Sequence, residues 1–146
     1  MSWKNITKVF AKKDTEKRIK NMGMIVDTCS DFIELSFLLV NYKELQQSDR
    51  FIVHMFLFGM IDMMAQAYNV GDTQSVSIMA STVLFGKFTK NADEVGEIVG
   101  QMIDGSSSSS GGAAMQAGGQ ALQKFCLKKD PRAGMELFNL LKNPSR

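Results

Sequence analysis

Polar residues are sparse in residues 50–68, and they recur at a helical interval. They stand four positions apart or at multiples of four: Arg50, His54, Asp62 and Gln66. Because four residues advance a helix by slightly more than one turn, these side chains fall on one narrow stripe. A helix that is apolar around the rest of its circumference has to be surrounded by other protein. The pattern therefore predicts a central core helix that is enclosed by amphipathic helices.

Amphipathic patterns precede that central helix. The first predicts a short basic helix, with lysines opposite its apolar positions: Trp3, Ile6, Val9 and Phe10 against Lys4, Lys8 and Lys12. A second pattern covers residues 14–44 and is interpreted as one long helix or as two, kinked at Gly23. A short basic helix of this kind needs a surface on which to lie.

Three further helices follow the central one. The first has four apolar residues that are predicted to point inward: Val76, Met79, Val83 and Phe88. The next begins at Asn91, where Asn91 and Glu94 resemble a capping box, and ends at Gly105. The last is marked by Asp130 at its cap and Pro131 in its first turn.

The fold class predicted from these patterns is all-α. We expect residues 1–146 to form a single domain, a bundle of about six helices around the central apolar helix. A weak repeat with a period of about 37 residues leaves stacked helical hairpins as the alternative. The run at residues 105–112, which contains five consecutive serines, is predicted to be a flexible Ser/Gly surface loop.

Charge is distributed unevenly although the net charge is only +2. Residues 1–20 carry +5 and residues 124–146 carry +4, whereas the stretch between them carries −7. Such asymmetry fits binding to nucleic acid or to an anionic membrane. It fits equally well basic ends that fold back over an acidic body, and this second interpretation is favoured. The polar, basic start of the chain shows no apolar signal segment, so a cytoplasmic location is expected.

Catalytic chemistry is poorly represented. One histidine excludes a site with several histidine ligands, and the chain lacks Cys-x-x-Cys and phosphate-loop motifs. A thiol-dependent enzyme would have to combine His54 and Asp62 with Cys29 or Cys126, but a buried structural histidine is the simpler interpretation. One face carries carboxylates that could hold a hard cation but are better explained as a solvated stripe: Asp27, Asp31 and Glu34. We predict no catalytic residue, cofactor or metal site.

Interaction with another protein is the function that remains. Gly96 and Gly100 stand four apart on a helix, which suggests close approach by another helix of this chain or of a second copy. The candidate interaction surface therefore combines these glycines with the basic helix: Trp3, Ile6, Phe10, Lys4, Lys8, Lys12, Gly96 and Gly100. We predict an adaptor, chaperone-like or regulatory protein with a protein partner, and self-association as a homodimer. The alternatives are a peripheral protein that binds nucleic acid or an anionic membrane through the basic helix and, third, the thiol enzyme.

Overall fold

A computed structural model describes the backbone of residues 3–68, 73–87, 89 and 91–143, and the side chains of residues 16–17, 19–68, 74–87, 89 and 91–143. These residues form no strand, and the predicted all-α class is confirmed. The six α-helices are α1 (Trp3–Ser36), α2 (Gln47–Ala67), α3 (Thr73–Gly86), α4 (Ala92–Gly105), α5 (Ser109–Leu127) and α6 (Glu136–Lys142). Two short 3-10 helices, Tyr42–Glu44 and Pro131–Met135, complete the described secondary structure.

Helix α2 is the enclosed central element that the sequence predicts. Every residue from 52 to 61 is buried, and so are Met64 and Ala65 on the following turn. All five other α-helices pack against α2. This arrangement is a bundle around one helix, and it replaces the alternative of stacked hairpins, in which each repeat contacts only its neighbours.

The closest packing in the bundle joins α2 to α5 through glycine. A Cβ atom added to Gly59 would overlap the carbonyl oxygen of Met115, and one added to Gly118 would overlap the carbonyl oxygen of Phe56. The two backbones therefore touch with no side chain between them. Only glycine permits this contact at both positions, so the separation of α2 and α5 is fixed by the sequence.

The Ser/Gly segment is largely helical, which corrects the loop predicted at residues 105–112. Gly105 is the last residue of α4, only residues 106–108 form the connection, and α5 begins at Ser109. Ser108 caps α5 by accepting a hydrogen bond of 3.0 Å from the amide of Gly111. Three small residues beyond the cap are buried where α5 packs closely on its neighbours: Gly111, Ala114 and Gly118. Serine therefore starts this helix, and the glycines serve its packing.

Helix α1 covers both predicted N-terminal patterns and agrees with the alternative of one long helix through Gly23. It is one continuous helix from Trp3, so the short basic helix and the next pattern merge without a break at Gly23. It ends at Ser36, eight residues before the predicted end at Glu44. The amides of Leu38 and Leu39 bond three residues back, which tightens and stops the helix. The apolar pattern extends past the end of the helix because Val40, which lies in an irregular segment, is also buried in the core.

Helix α3 also differs from the prediction in its orientation. Val76 is buried as expected, but Met79 and Val83 are exposed, and Phe88 lies outside the described residues. The inward positions are taken by small and polar residues as well as large ones: Val76, Ser77, Ala80, Ser81, Leu84 and Phe85. Ser81 can be buried because its hydroxyl donates to the carbonyl of Ser77 at 2.6 Å. An apolar period alone could not reveal this rotation of the helix.

Both predicted helix starts are confirmed with changes in detail. The side chain of Asn91 accepts hydrogen bonds from the amides of Asp93 and Glu94, as a cap should. The Glu94 carboxylate, however, accepts from the Thr89 hydroxyl, so the box is not reciprocal. Asp130 caps the C-terminal element, whose first turn is a 3-10 helix that precedes α6.

The glycine contact between α2 and α5 gives a direct stability test. We expect Gly118→Ala to lower the free energy of unfolding by about 1–3 kcal/mol or more, because its Cβ meets backbone that cannot move aside. Gly96→Ala is the matched control: its Cβ meets nothing within 4 Å, so it should raise stability by about 0.5–1 kcal/mol. Urea denaturation of the two variants measures both changes. Equal effects of the two substitutions would contradict the packing described here.

Candidate functional site

An uncharged surface lies on the outer side of α3 and α4. Helix α3 contains no Asp, Glu, Lys or Arg, although solvent-facing helical surfaces are ordinarily charged. Met79 and Val83 are 54% and 46% exposed, and Ile103 on α4 is 41% exposed. We call this surface the α3–α4 face and define it by nine residues: Met79, Thr82, Val83, Gly86, Ala92, Gly96, Val99, Gly100 and Ile103.

A groove runs along this face between the two helices. Its volume is about 450 Å³, and its walls come from α3, α4 and their connection: Thr82, Gly86, Thr89, Ala92, Val95, Gly96 and Val99. Added Cβ atoms at Gly86, Gly96 and Gly100 would meet nothing within 4 Å. These glycines therefore do not serve contact within the described part of the chain. They leave open space beside the backbones of α3 and α4.

Acidic side chains lie along one edge of α4, next to the α3–α4 face. At about 100° per residue, Asp93, Glu97 and Asp104 fall within a sector of about 40° beside Gly100. All three are exposed, and α4 contains no Lys or Arg that would neutralise them. The α3–α4 face is thus apolar along its floor and negative along one side.

The structure describes the side chains of only some residues of the predicted interaction surface. Gly96 and Gly100 lie on the exposed side of α4, and no described residue lies within 4 Å of where their Cβ atoms would be. The other six lie in a part of α1 whose backbone is helical but whose side chains are outside the described set: Trp3, Ile6, Phe10, Lys4, Lys8 and Lys12. Sequence reasoning missed Met79, Val83 and Gly86 as surface residues. The uncharged run across α3 is the signal that could have found them.

His54 belongs to the core and makes a defined polar contact. The side chain is 4% exposed, its Nε2 shares a hydrogen bond of 2.5 Å with Tyr42 Oη, and its ring meets the edge of Phe85 with centroids 5.4 Å apart. Nδ1 has no hydrogen-bond partner among the described residues. Burial, with a smaller contribution from the Arg50 charge, lowers the pKa of His54 to about 4. The imidazole is therefore neutral near pH 7.

The Tyr42–His54 contact holds the segment between α1 and α2 against the bundle. Arg50 reinforces it: the guanidinium donates to the carbonyl of Lys43 at 2.9 Å and lies 5.1 Å from the centre of the Tyr42 ring. A second open groove of about 800 Å³ lies beside this segment, and Leu38 in its wall is 78% exposed. The polar groups there are largely occupied with one another, so His54 is explained as a structural residue.

The elements of the thiol-enzyme alternative are not arranged for catalysis. Asp62 accepts a hydrogen bond of 2.8 Å from Gln66 and contacts Ser77. Its carboxylate therefore interacts with these two residues and not with His54. Burial raises the pKa of Cys29 to about 12, with a smaller effect from Cys126. Burial also raises the pKa of Cys126. Both thiols stay protonated near pH 7 and are weak nucleophiles.

The other charged side chains that the structure describes form no cluster suited to a metal ion. Asp27, Asp31 and Glu34 are exposed, and the part of the chain that the structure describes contains no group of three or more His, Cys, Asp or Glu side chains able to hold a metal ion. Among the described side chains, two salt bridges join residues of the same C-terminal region, Lys124 to Glu136 and Arg132 to Asp130. Neither connects a basic end of the chain to its acidic middle.

No family model, curated protein or solved structure is similar to this chain at a significant level. Among the helices as described, none combines the length and apolar character that crossing a membrane requires.

The buried histidine predicts a pH dependence of stability. Because the pKa falls from an ordinary 6.5 to about 4 on folding, the unfolded chain binds a proton at His54 in a pH range where the folded chain does not. Stability should be fully present above about pH 6.5 and should decrease, by up to about 3 kcal/mol, as the pH falls through 4. Urea denaturation across this range, compared with His54→Asn, isolates the effect from carboxylate titration.

The imidazole resonances of this single histidine provide an independent readout. We expect an NMR titration midpoint near 4 in the folded protein. A midpoint near 6.5, or an unchanged pH dependence in His54→Asn, would show that the side chain is not held neutral in the core.

Proposed function

We propose that the protein is an interaction protein that holds an amphipathic helix of a protein partner in the groove of the α3–α4 face. The observation that carries this proposal is the outer surface of α3, which exposes Met79 and Val83 and has no charged residue. An exposed apolar patch on a surface that is otherwise polar is typical of an interaction site. The long, open groove beside it suits the narrow apolar side of a helix.

The glycines on α4 support a helix as the occupant. Ala92 and Gly96 line the groove, and Gly100 continues their row along α4 at the same spacing of four. A row of small residues lets a second helix approach closely and increases the contact area of its large side chains. Glycine costs about 1 kcal/mol relative to alanine inside a helix, and Gly96 and Gly100 gain no internal packing in return.

The acidic edge specifies the charge of that helix. Asp93, Glu97 and Asp104 are exposed and lie on the same edge of α4, next to the α3–α4 face. A helix with lysine or arginine beside its apolar stripe would place positive charge along this edge. Electrostatic complementarity of this kind favours the correct partner and raises the rate of association, and it weakens as salt increases.

A synthetic helix tests the proposal. The probe is a fluorescent peptide of leucine and lysine, with a narrow apolar stripe and its lysines on one side, unrelated in sequence to this chain. We expect fluorescence anisotropy to show salt-sensitive binding to the wild-type protein. The double variant Gly96→Gln with Gly100→Gln should bind at least about tenfold more weakly, a loss of about 1.4 kcal/mol, because one side chain enters the groove and the other covers the row of small residues beside it.

The control for the peptide experiment is Gly23→Gln. Gly23 is an exposed helical glycine with open space around it, like Gly96 and Gly100, but it lies on α1. All three positions accept glutamine without a clash, and helix propensity favours the change. Gly23→Gln should bind the peptide as the wild type does. Undiminished binding by the groove variant, or no binding by the wild type, would refute the proposed function.

A further inference from the structure

Two hollows adjoin where α4 meets the segment between α1 and α2. The larger is the groove of about 800 Å³ beside that segment, and the smaller has a volume of about 250 Å³ and is walled mainly by α2 and α4. Four residues belong to the walls of both: Tyr42, Arg50, Glu94 and Ile98. Small-molecule sites in proteins commonly have volumes of about 300–1,000 Å³. The two hollows together are therefore large enough to hold a small organic molecule.

The walls of the two hollows differ in polarity. The larger has an apolar side, in which Leu38 and Leu39 are 78% and 49% exposed. In the smaller, only Ile98 among the described wall residues is apolar, and the others have polar side chains: Tyr42, Gln47, Arg50, His54, Glu94, Glu97 and Gln101. A molecule that fills both hollows therefore needs an apolar part joined to a polar part.

The charges around the hollows are balanced. Two cationic and two anionic side chains contribute to the walls: Lys43, Arg50, Glu94 and Glu97. The salt bridges found among the described side chains join other residues, so none of these four is neutralised by direct contact with another. A ligand that carries one charge of each sign would pair with both kinds of side chain.

Arg50 is held in place with part of its guanidinium unused. Its Nε donates to the carbonyl of Tyr42 at 3.3 Å, and a terminal nitrogen donates to the carbonyl of Lys43 at 2.9 Å. These bonds use two of the five N–H groups of arginine. A fixed guanidinium with spare N–H groups is suited to a carboxylate, which it can bind through two parallel hydrogen bonds.

The carboxylates of Glu94 and Glu97 line the smaller hollow from α4. The Thr89 hydroxyl donates to Oε2 of Glu94 at 2.8 Å and so orients that carboxylate. No described residue donates a hydrogen bond to Oε1 of Glu94 or to Glu97. Residues three apart share a side of a helix, so both carboxylates can accept from one ammonium group, which has three N–H donors.

His54 adds an unused polar atom to the wall of the smaller hollow. The bond between Nε2 and Tyr42 explains the position of the ring, but the buried Nδ1 has no partner among the described residues. Buried polar atoms ordinarily have a partner, so an unsatisfied one beside a hollow indicates a polar guest. A neutral imidazole nitrogen donates or accepts according to its tautomer and suits either charged group of such a guest.

We propose that the two hollows form one binding site for a free α-amino acid with a large apolar side chain. The ligand carboxylate accepts from Arg50, and its ammonium group donates to Glu94 and Glu97. The apolar side chain lies in the larger hollow beside Leu38. The smaller hollow admits both charged groups, so they stand close together in the ligand, as they do on the α-carbon of an amino acid. This site lies on the other side of α4 from the α3–α4 groove and is independent of the proposed function.

Ligand analogues test which parts of the molecule are recognised. The probe is L-phenylalanine, and the readout is a chemical-shift titration of the imidazole of His54, the one histidine in the chain. We expect a saturable shift. L-Phenylalaninamide lacks the carboxylate and 3-phenylpropionate lacks the ammonium group, so each should bind at least about tenfold more weakly. Glycine lacks the apolar side chain and should also bind more weakly than L-phenylalanine.

The double variant Glu94→Gln with Glu97→Gln tests the ammonium contact. Glutamine keeps the size of each side chain and can still accept the hydrogen bond from Thr89, but both negative charges are lost. Affinity for L-phenylalanine should fall at least about tenfold, whereas affinity for 3-phenylpropionate should not fall, because that ligand never makes the contact. Glu34→Gln is the matched control, since Glu34 is an exposed glutamate of α1 that lines neither hollow. It should bind L-phenylalanine as the wild type does.

Absence of a saturable shift with L-phenylalanine would overturn the inference. Equal binding of either analogue that lacks a charged group, unchanged affinity in the double variant, or a loss of affinity in the Glu34→Gln control would overturn it as well. The analogue series uses the wild-type chain, so it decides the matter even if the double variant were unstable. Binding of the helical peptide in the α3–α4 groove is measured separately, and the two proposals can therefore fail independently.

Discussion

The contact between the backbones of α2 and α5 is the constraint on which the rest of the fold depends. Gly59 and Gly118 each face a carbonyl of the opposite helix, so no side chain separates the two. The tight crossing leaves the large side chains of α2 on either side of it to be covered by the other helices. Every residue from 52 to 61 is buried as a result, and the burial of one apolar helix organises the bundle.

The same arrangement explains why α3 and α4 keep an apolar outer side. Each of them covers one side of α2 with its inward residues, and no described element covers them in turn. Met79 and Val83 therefore remain exposed although they are apolar, and the connection between α3 and α4 opens a groove beside them. The proposed docking of a helix follows from this incomplete layer. His54, by contrast, is accounted for within the core by Tyr42 and Phe85.

The sequence predicted where helices form better than it predicted which side of each helix is buried. The polar stripe of residues 50–68 correctly indicated an enclosed helix, because nearly all other positions there are apolar. Within the described chain, close helix approach occurs at Gly59 and Gly118 and not at Gly96 and Gly100, since a glycine in a helix does not reveal which side meets a neighbour. The serine run suggested a loop by composition. The regular spacing of small residues in α5 was the stronger signal, and it became interpretable only once α2 was known to lie against them.

Amide hydrogen exchange measures the central claim most directly, because it reports the stability of each helix separately. If the glycine contact joins α2 and α5 into the most stable unit, the amides of residues 53–61 and 114–122 should exchange only through global unfolding. Their free energies of exchange should then agree with each other and with the value from urea denaturation. Exchange of residues 114–122 at a lower free energy than α3 or α4, while α2 stays protected, would contradict the account.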